Sequence, residues 1–350
     1  MWPKVSIIWL NYNSSRFMSI VLRSLESVAE LDYPPDKYEL IVVDNGSTDG
    51  SYEKIKGFLE KKSSLRKKVI RLTRNLGFTG GNNVGFAARD KESKYVLLLN
   101  NDAVLFQRGL KTLVEYAEND DRVAGLQGVV LRYGTRLIDT AGDFVDEMLH
   151  TYVLGSGREY PWTLHRPIYV SYTDGACTLY RVEHILRCLG NKLFIDEFFA
   201  YGDDSVLGLM LWNHGYRLVA MPEAIAEHVR TLTFGTRSLL PIYLSTRSRS
   251  ALTLITNTRY RDLIWLHILR NSLTSTRLEM KLAKYLLRAL IDGIELGNKL
   301  KSKGFFIDIY KAPLVRIPLG YIEAFFAARR VASKYFDNWD IKILSSLVVE

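Results

Sequence analysis

The 350-residue chain is poor in cysteine, with only Cys177 and Cys188. That excludes a disulfide framework and any cysteine-based metal cluster of the usual spacing, and it suits a reducing interior. Long hydrophobic runs are missing too. Nowhere do about 18 uncharged apolar residues follow one another, so no transmembrane helix is expected. The opening "MWPKVSIIWLNYN" has no extended apolar stretch ending in small residues and does not read as a signal peptide. Disorder is excluded by composition: 47% hydrophobic and 24% charged residues are ordinary for a globular protein with a sizeable core.

Acidic residues are scarce in only one part of the chain. Residues 1–230 hold 28 Lys and Arg against 29 Asp and Glu; residues 231–350 hold the remaining 19 and 9. The last third thus carries all of the net charge of +9. Such an asymmetry points to a polyanionic partner, either nucleic acid or a membrane surface. No nucleic-acid-binding module accompanies the charge, which disfavours the first.

What is present is an alternation of strands and helices. "KVSIIWL" (4–10), "YELIVVD" (38–44), residues from 68 and "YVLLLNND" (95–102) read as buried strands. Helices are expected at about 16–30, 51–62, after the turn "GFTGGNN", and at about 108–119. This spacing predicts a doubly wound α/β domain with a mainly parallel sheet. After about 236, long helical stretches take over. Within 278–300, Leu282, Tyr285, Leu286, Ala289, Leu290 and Ile294 share one face, and Lys281, Lys284, Arg288, Asp292, Glu295 and Lys299 the other.

Each strand ends in polar residues: Tyr12, Asp44, Asn75, Asp102, then Asp203, Asp204 and His228. In an open parallel sheet such ends converge on one crevice. Taken singly, each Asp is as well explained as a helix cap; together they describe a site.

The order of "VSIIWLNYN", "ELIVVDNGSTDGS", "NLGFTGGNNVGF", "YVLLLNNDAVL", "TDGACTLYR", "IDEFFAYGDDSVLGLMLWNHGYRL" and "PEAIAEH" resembles the family 2 glycosyltransferases of GT-A fold, most closely the rhamnosyltransferase-like subgroup. The resemblance spans about residues 4–235. It implies a catalytic domain over 1–235, with a nucleotide-sugar-binding half (1–122) and an acceptor-binding half (123–235); the basic amphipathic helical extension over 236–350 lies mostly outside it. It implies a metal-dependent, inverting transfer of a hexosyl or rhamnosyl group from a nucleotide-diphosphate donor to a glycan or polyprenyl-linked acceptor.

By the same resemblance Asp102 matches the last Asp of the family's D-X-D element, whose first position is Asn100 here, and His228 is the second ligand of a Mg²⁺ or Mn²⁺ ion. A hard cation binds oxygen, keeps several open positions for diphosphate and water, and so manages with one or two protein ligands. Asp44 is the counterpart of a residue that contacts the nucleoside, with Tyr12 against the base. Asn75, Gly80, Gly81, Asn82 and Asn101 are expected to line the donor, glycine letting backbone approach phosphate closely. Asp204 aligns with the catalytic base and Asp203 completes the acidic pair. Asp174, in "TDGA", is expected to touch sugar or acceptor. Val206 and Met210 stand where the family has an Asp and an Arg, so acceptor contacts are expected to differ from the subgroup.

Competing readings have a weaker basis. A sugar nucleotidyltransferase wants a Gly-rich basic loop after the first strand, where this chain has "NYNSSR". A nicotinamide dehydrogenase wants G-x-G-x-x-G, a spacing that "GFTGGNNVG" does not keep. A degenerate transferase serving as a membrane scaffold or as one half of a complex is the non-enzymatic alternative. The extension is expected either to lie on an anionic membrane, at the cytoplasmic face, or to pack on the core or form a homodimer.

Overall fold

A computed structural model of the chain describes residues 2–230, 238–275, 280–317, 320, 323, 326–327 and 347–349. The expected boundary at 235/236 lies outside the described residues, as does most of the extension beyond 317. In the first half, strands β1 (Val5–Asn11), β2 (Tyr38–Asp44), β3 (Lys67–Arg71) and β4 (Tyr95–Asn100) alternate with helices α1 (Met18–Ala29), α2 (Ser51–Glu60) and α3 (Gly77–Ala88). Then come the short β5 (Ala103–Leu105) and α4 (Gly109–Ala117).

The second half contributes β6 (Val123–Arg132), β7 (Ile138–Thr140), β8 (Asp143–Asp146), β9 (Thr151–Val153), β10 (Ile168–Tyr169) and β11 (Cys177–Arg181). Helices α5 (Val182–Leu189) and α6 (Asp203–Asn213) and the long β12 (Arg217–His228) complete it.

Both halves build one sheet, in the order β10-β12-β6-β11-β4-β1-β2-β3. Strands β3, β2, β1 and β4 are parallel, and β12 is parallel to β6; β11 runs antiparallel to both β4 and β6 and joins the two groups. The apolar runs of β1, β2 and β4 are continuous because both sheet faces are covered. Ile7 and Trp9 of β1 meet Val21 and Leu25 of α1 on one face; Ile8 meets Phe86 of α3 on the other.

Two registers set up the site. Asn11 pairs with Asp44 and Leu10 with Asn100, so the polar ends of β1, β2 and β4 finish level. Strand β5 pairs antiparallel with the end of β12, placing His228 opposite Ala103 and hence beside Asp102.

The extension forms α7 (Leu240–Ile255), α8 (Arg261–Ser275) and α9 (Met280–Ser302), and β13 (Leu314–Val315) pairs with β8. Leu252, Ile255, Ile264, Leu290 and Leu300 form one core with Val206, Leu209 and Met210 of α6. The buried face of α9 is rotated from the expected one: Ala283, Leu286, Ala289, Leu290, Gly293, Leu296, Gly297 and Leu300 are buried, while Leu282, Tyr285 and Ile294 are half-buried. The reason is close packing on α7. A Cβ at Gly293 would run into the Arg247 carbonyl, and one at Gly297 would come within 2.8 Å of the Ala251 carbonyl. Gly293→Val is therefore expected to destabilise the protein by about 1–3 kcal/mol, measured as a lower urea midpoint.

Candidate active site

The level strand ends open into a cleft of about 960 Å³. It is lined by Tyr12, Asn45, Asn75, Asn100, Asn101 and Asp102 from the first half of the chain and by Asp174, Asp203, Asp204, His228 and Arg230 from the second. Tyr12, Asn75, Asn101, Asp102, Asp174, Asp203, Asp204 and His228, all singled out in the sequence, thus meet around one space.

Asp102 and His228 are both buried, and their Oδ1 and Nε2 atoms stand 3.1 Å apart. On its other side the imidazole Nδ1 lies 3.0 Å from Asp139 Oδ2. Burial opposes the imidazolium, but the hydrogen bonds to Asp102 and Asp139 outweigh it and raise the His228 pKa to about 10. The two carboxylates stabilise the imidazolium when no metal is bound, and a cation at Nε2 would take the place of its proton. Arg230 adds a positive charge, with its Nε 3.0 Å from Asp139 Oδ1 and its Nη2 3.7 Å from Asp174 Oδ2.

No group of three or more His, Cys, Asp and Glu side chains that could hold a metal occurs among the described residues. Asp102 and His228 fit a hard divalent cation that takes its remaining ligands from diphosphate and water. With Nδ1 held by Asp139, Nε2, which meets Asp102, is the ring nitrogen that a cation would take.

Asp203 and Asp204 open α6, just after Gly202, whose φ of +86° ends the preceding turn. Asp204 Oδ1 accepts a hydrogen bond from the Ser205 amide at 2.8 Å. Burial raises the Asp203 carboxyl first, with a further push from Asp174. Asp204 is driven well above the usual carboxylate range by burial and by the charges of Asp203 and Asp174. Behind them the buried Asp143 is raised in the same way, by burial and then by Asp174 and Asp204. A carboxylate so placed holds a proton more tightly than one in water, which is what a base near neutral pH needs.

The surroundings of several expected residues are as follows. Gly80, Gly81 and Asn82 do not form a turn and do not line the cleft; they lie inside α3. A Cβ at Gly81 would strike Leu10, so that glycine lets the helix sit on the sheet, and Asn82 Nδ2 donates to the Phe78 carbonyl within the helix. Asp44 is buried and stands off the wall. Its oxygens accept from Asn11 Nδ2 at 2.8 Å and from the Ser47 amide at 3.1 Å, which fixes the loop beside the neighbouring Asn45. Asn45 in turn accepts from the Leu76 amide and donates to Asn75 Oδ1 at 2.9 Å. Asp174 uses Oδ1 to accept from the Ala176 amide, while its own amide donates to Gln127. Val206 and Met210 are absorbed by the core under α7 and α8, so neither position faces the cleft.

Three features escaped the sequence. Asp139 sits in "LIDT", where a carboxylate inside a strand-like run was the one hint. Arg230 follows His228 by two residues, at the end of the matched segment. The third is the far wall, made by the extension itself through Ser245, Ser248 and Arg249 of α7, Ile268 of α8 and Leu282 and Leu286 of α9. Arg249 is anchored there by its Nε, which donates to the Met148 carbonyl at 3.0 Å.

Comparisons with known proteins agree with this architecture. Residues 6–185 match the model of Glycosyl transferase family 2. An uncharacterized glycosyltransferase of Nostoc sp. is 30% identical over 159 residues, which are 44% of this chain and 47% of that protein. Poly(ribitol-phosphate) beta-N-acetylglucosaminyltransferase TarS of Staphylococcus aureus is 31% identical over 116 residues, 33% of this chain and 19% of TarS. The chain thus spans less than half the length of these relatives. In structure, TarS residues 1–349 in complex with UDP-GlcNAc superpose with a TM-score of 0.56 at 16% identity, over 98% of this chain and 91% of that one. A mannosyltransferase of Pyrobaculum calidifontis in complex with GDP-Man and Mn²⁺ gives 0.51 at 15% identity, over 99% and 83%. The fold is GT-A-like, and with more than half of its residues matched the chain belongs to glycosyl transferase family 2.

Proposed function

We propose that the protein transfers a sugar, hexosyl or rhamnosyl, from a nucleotide-diphosphate donor to a hydroxyl of a glycan or of a polyprenyl-linked acceptor, with inversion at the anomeric carbon. The observation that carries this reading is that an acidic pair with raised pKa and an Asp–His pair suited to a cation line one cleft. Tyr12, Asn45, Asn75 and Asn101 hold the donor in the 1–122 half, on the loop that Asp44 fixes. Asp102 and His228 hold Mg²⁺ or Mn²⁺, which when bound supplies Lewis-acid stabilisation of the leaving diphosphate. Arg230 adds fixed positive charge on the same side.

Asp204 accepts the proton of the acceptor hydroxyl as its oxygen bonds to the anomeric carbon and the bond to the diphosphate oxygen breaks. Asp203 raises the proton affinity of Asp204 by like-charge repulsion. The acceptor lies between Asp174 and the extension, which stands where the family's Asp and Arg positions have become Val206 and Met210. The site of action is the cytoplasmic face of a membrane, with the extension peripheral to it. The relatives' ligands, UDP-GlcNAc for TarS and GDP-Man with Mn²⁺ for the Pyrobaculum enzyme, support a nucleotide-sugar donor of this kind.

The test is thermal stabilisation by a panel of nucleoside diphosphates and nucleotide sugars, with and without Mn²⁺. A ligand at 100 times its Kd adds about 2.7 kcal/mol to stability. One nucleotide is expected to stabilise the protein in a metal-dependent way, and Asp102→Ala to abolish the metal-dependent part. A flat panel on folded protein would favour the scaffold reading instead.

A further inference from the structure

Helices α8 and α9 each bury one face in the core and leave apolar side chains on the opposite face. On α8 these are Leu266, Leu269 and Leu273, spaced as a single helical stripe; on α9 they are Met280, Leu287 and Ile291, spaced likewise. Leu273 and Met280 are 67% exposed, and Leu266 and Ile291 51%. Residues this apolar and this open normally occur singly on a surface, not as paired stripes.

Positive charge accompanies the stripes. Arg270 lies on the α8 stripe, its guanidinium 5.6 Å from the Phe326 ring; Lys284 lies within the α9 stripe and Lys281 and Arg288 flank it, Arg288 paired with Asp292 at 2.9 Å; all four are exposed. Long basic side chains beside exposed leucines suit an anionic lipid interface, where the stems contact acyl chains and the heads reach phosphate. Among the described residues no helix is long and apolar enough to cross a membrane, so these helices would lie on a bilayer.

The same two helices furnish the apolar part of the cleft wall, through Ile268 on α8 and Leu282 and Leu286 on α9. With Leu149 and Ile242 they form a greasy lining on the extension side of the cleft that also holds Asp204. Such a wall suits an acceptor on an apolar carrier.

We infer that the α8–α9 pair is a docking surface for an anionic bilayer, and that it brings a lipid-carried acceptor along the Ile268–Leu282–Leu286 wall to Asp204. The second half of this inference rests on the transferase reading; the docking surface does not.

The test is flotation of the full chain with phosphatidylcholine vesicles and with vesicles containing about 30% phosphatidylglycerol. Wild type is expected to float with the anionic vesicles and to be released by high salt. Leu273→Glu/Ile291→Glu should reduce partitioning at least tenfold, and Lys281→Ala/Lys284→Ala by about thirtyfold on anionic vesicles. None of the four positions lines the cleft, so both variants should keep the metal-dependent nucleotide stabilisation of wild type.

Wild type that floats with neither vesicle overturns the inference, whatever nucleotides do. Equal flotation with both vesicles overturns its charge component. If wild type ignores vesicles and is a dimer that Leu273→Glu dissociates, the stripes are a self-association surface and the inference falls. Anionic flotation with a flat nucleotide panel keeps the docking surface and removes the transferase reading.

Discussion

Asp204→Asn is expected to lower kcat by about 10²- to 10⁴-fold, the range that loss of a general base costs, while the donor KM stays near that of wild type. The amide keeps the shape of the carboxylate and can still accept from the Ser205 amide, but it cannot take a proton from an acceptor hydroxyl. Asp203→Asn should do less, because Asp203 acts on the reaction through the charge it presents to Asp204. In wild type the acidic limb of the kcat/KM profile should lie well above the ordinary carboxylate value of about 4, since the base works only when deprotonated and its pKa is raised by burial first and by Asp203 and Asp174 next.

The same raised pKa makes a prediction about stability with the opposite sign. A carboxyl whose folded pKa exceeds its unfolded value contributes stability that is complete below the unfolded pKa and is lost as pH rises through the folded one. Asp204→Asn removes that loss, so the variant should be more stable than wild type at alkaline pH. The gap should close below about pH 4. Lost turnover with a gain in melting temperature would separate a sacrificed base from a misfolded protein. Wild-type turnover would remove Asp204 as the base.

The strands that frame this site were legible because burial on both faces writes itself as unbroken apolar runs, and the polar ends of β1, β2 and β4 are adjacent in space for the same reason. His228 was legible as a polar strand end, but as a partner of Asp102 only through the resemblance, since its approach to Asp102 depends on the antiparallel pairing of β5 with β12. The glycines of "GFTGGNN" misled because helix–sheet packing and phosphate binding both require a missing side chain; only the Leu10 contact tells them apart. Asp44 was legible as a polar strand end, while its bonds to Asn11 and the Ser47 amide, which order the loop, depend on tertiary packing. Val206 and Met210 looked like lost acceptor contacts until α7 and α8 were seen to pack on them. The role of the extension as a cleft wall follows from tertiary packing, which helical periodicity alone does not encode.

Asp139→Ala should weaken divalent-metal binding by about 10- to 100-fold, the usual effect of losing the partner that orients a metal-binding histidine. Asp139 Oδ2 lies 3.0 Å from His228 Nδ1, so it fixes which nitrogen keeps its proton and turns Nε2 toward Asp102. It also holds the Arg230 guanidinium through Oδ1 at 3.0 Å. Removing the carboxylate frees the ring to rotate and releases Arg230 from one of its carboxylate neighbours. Asp139→Asn retains an oxygen that can accept from Nδ1–H, so it should recover most of the affinity when that oxygen faces the ring. The measurement is Mn²⁺ binding followed by electron paramagnetic resonance, with the stabilising nucleotide present and without any turnover. A merely structural role for Asp139 would lower the melting temperature of both variants and leave Mn²⁺ affinity of the folded protein unchanged. Weakened binding in Asp139→Ala, partial recovery in Asp139→Asn and metal-free nucleotide binding equal to wild type would instead make Asp139 the residue through which β7 sets the geometry of the cation site.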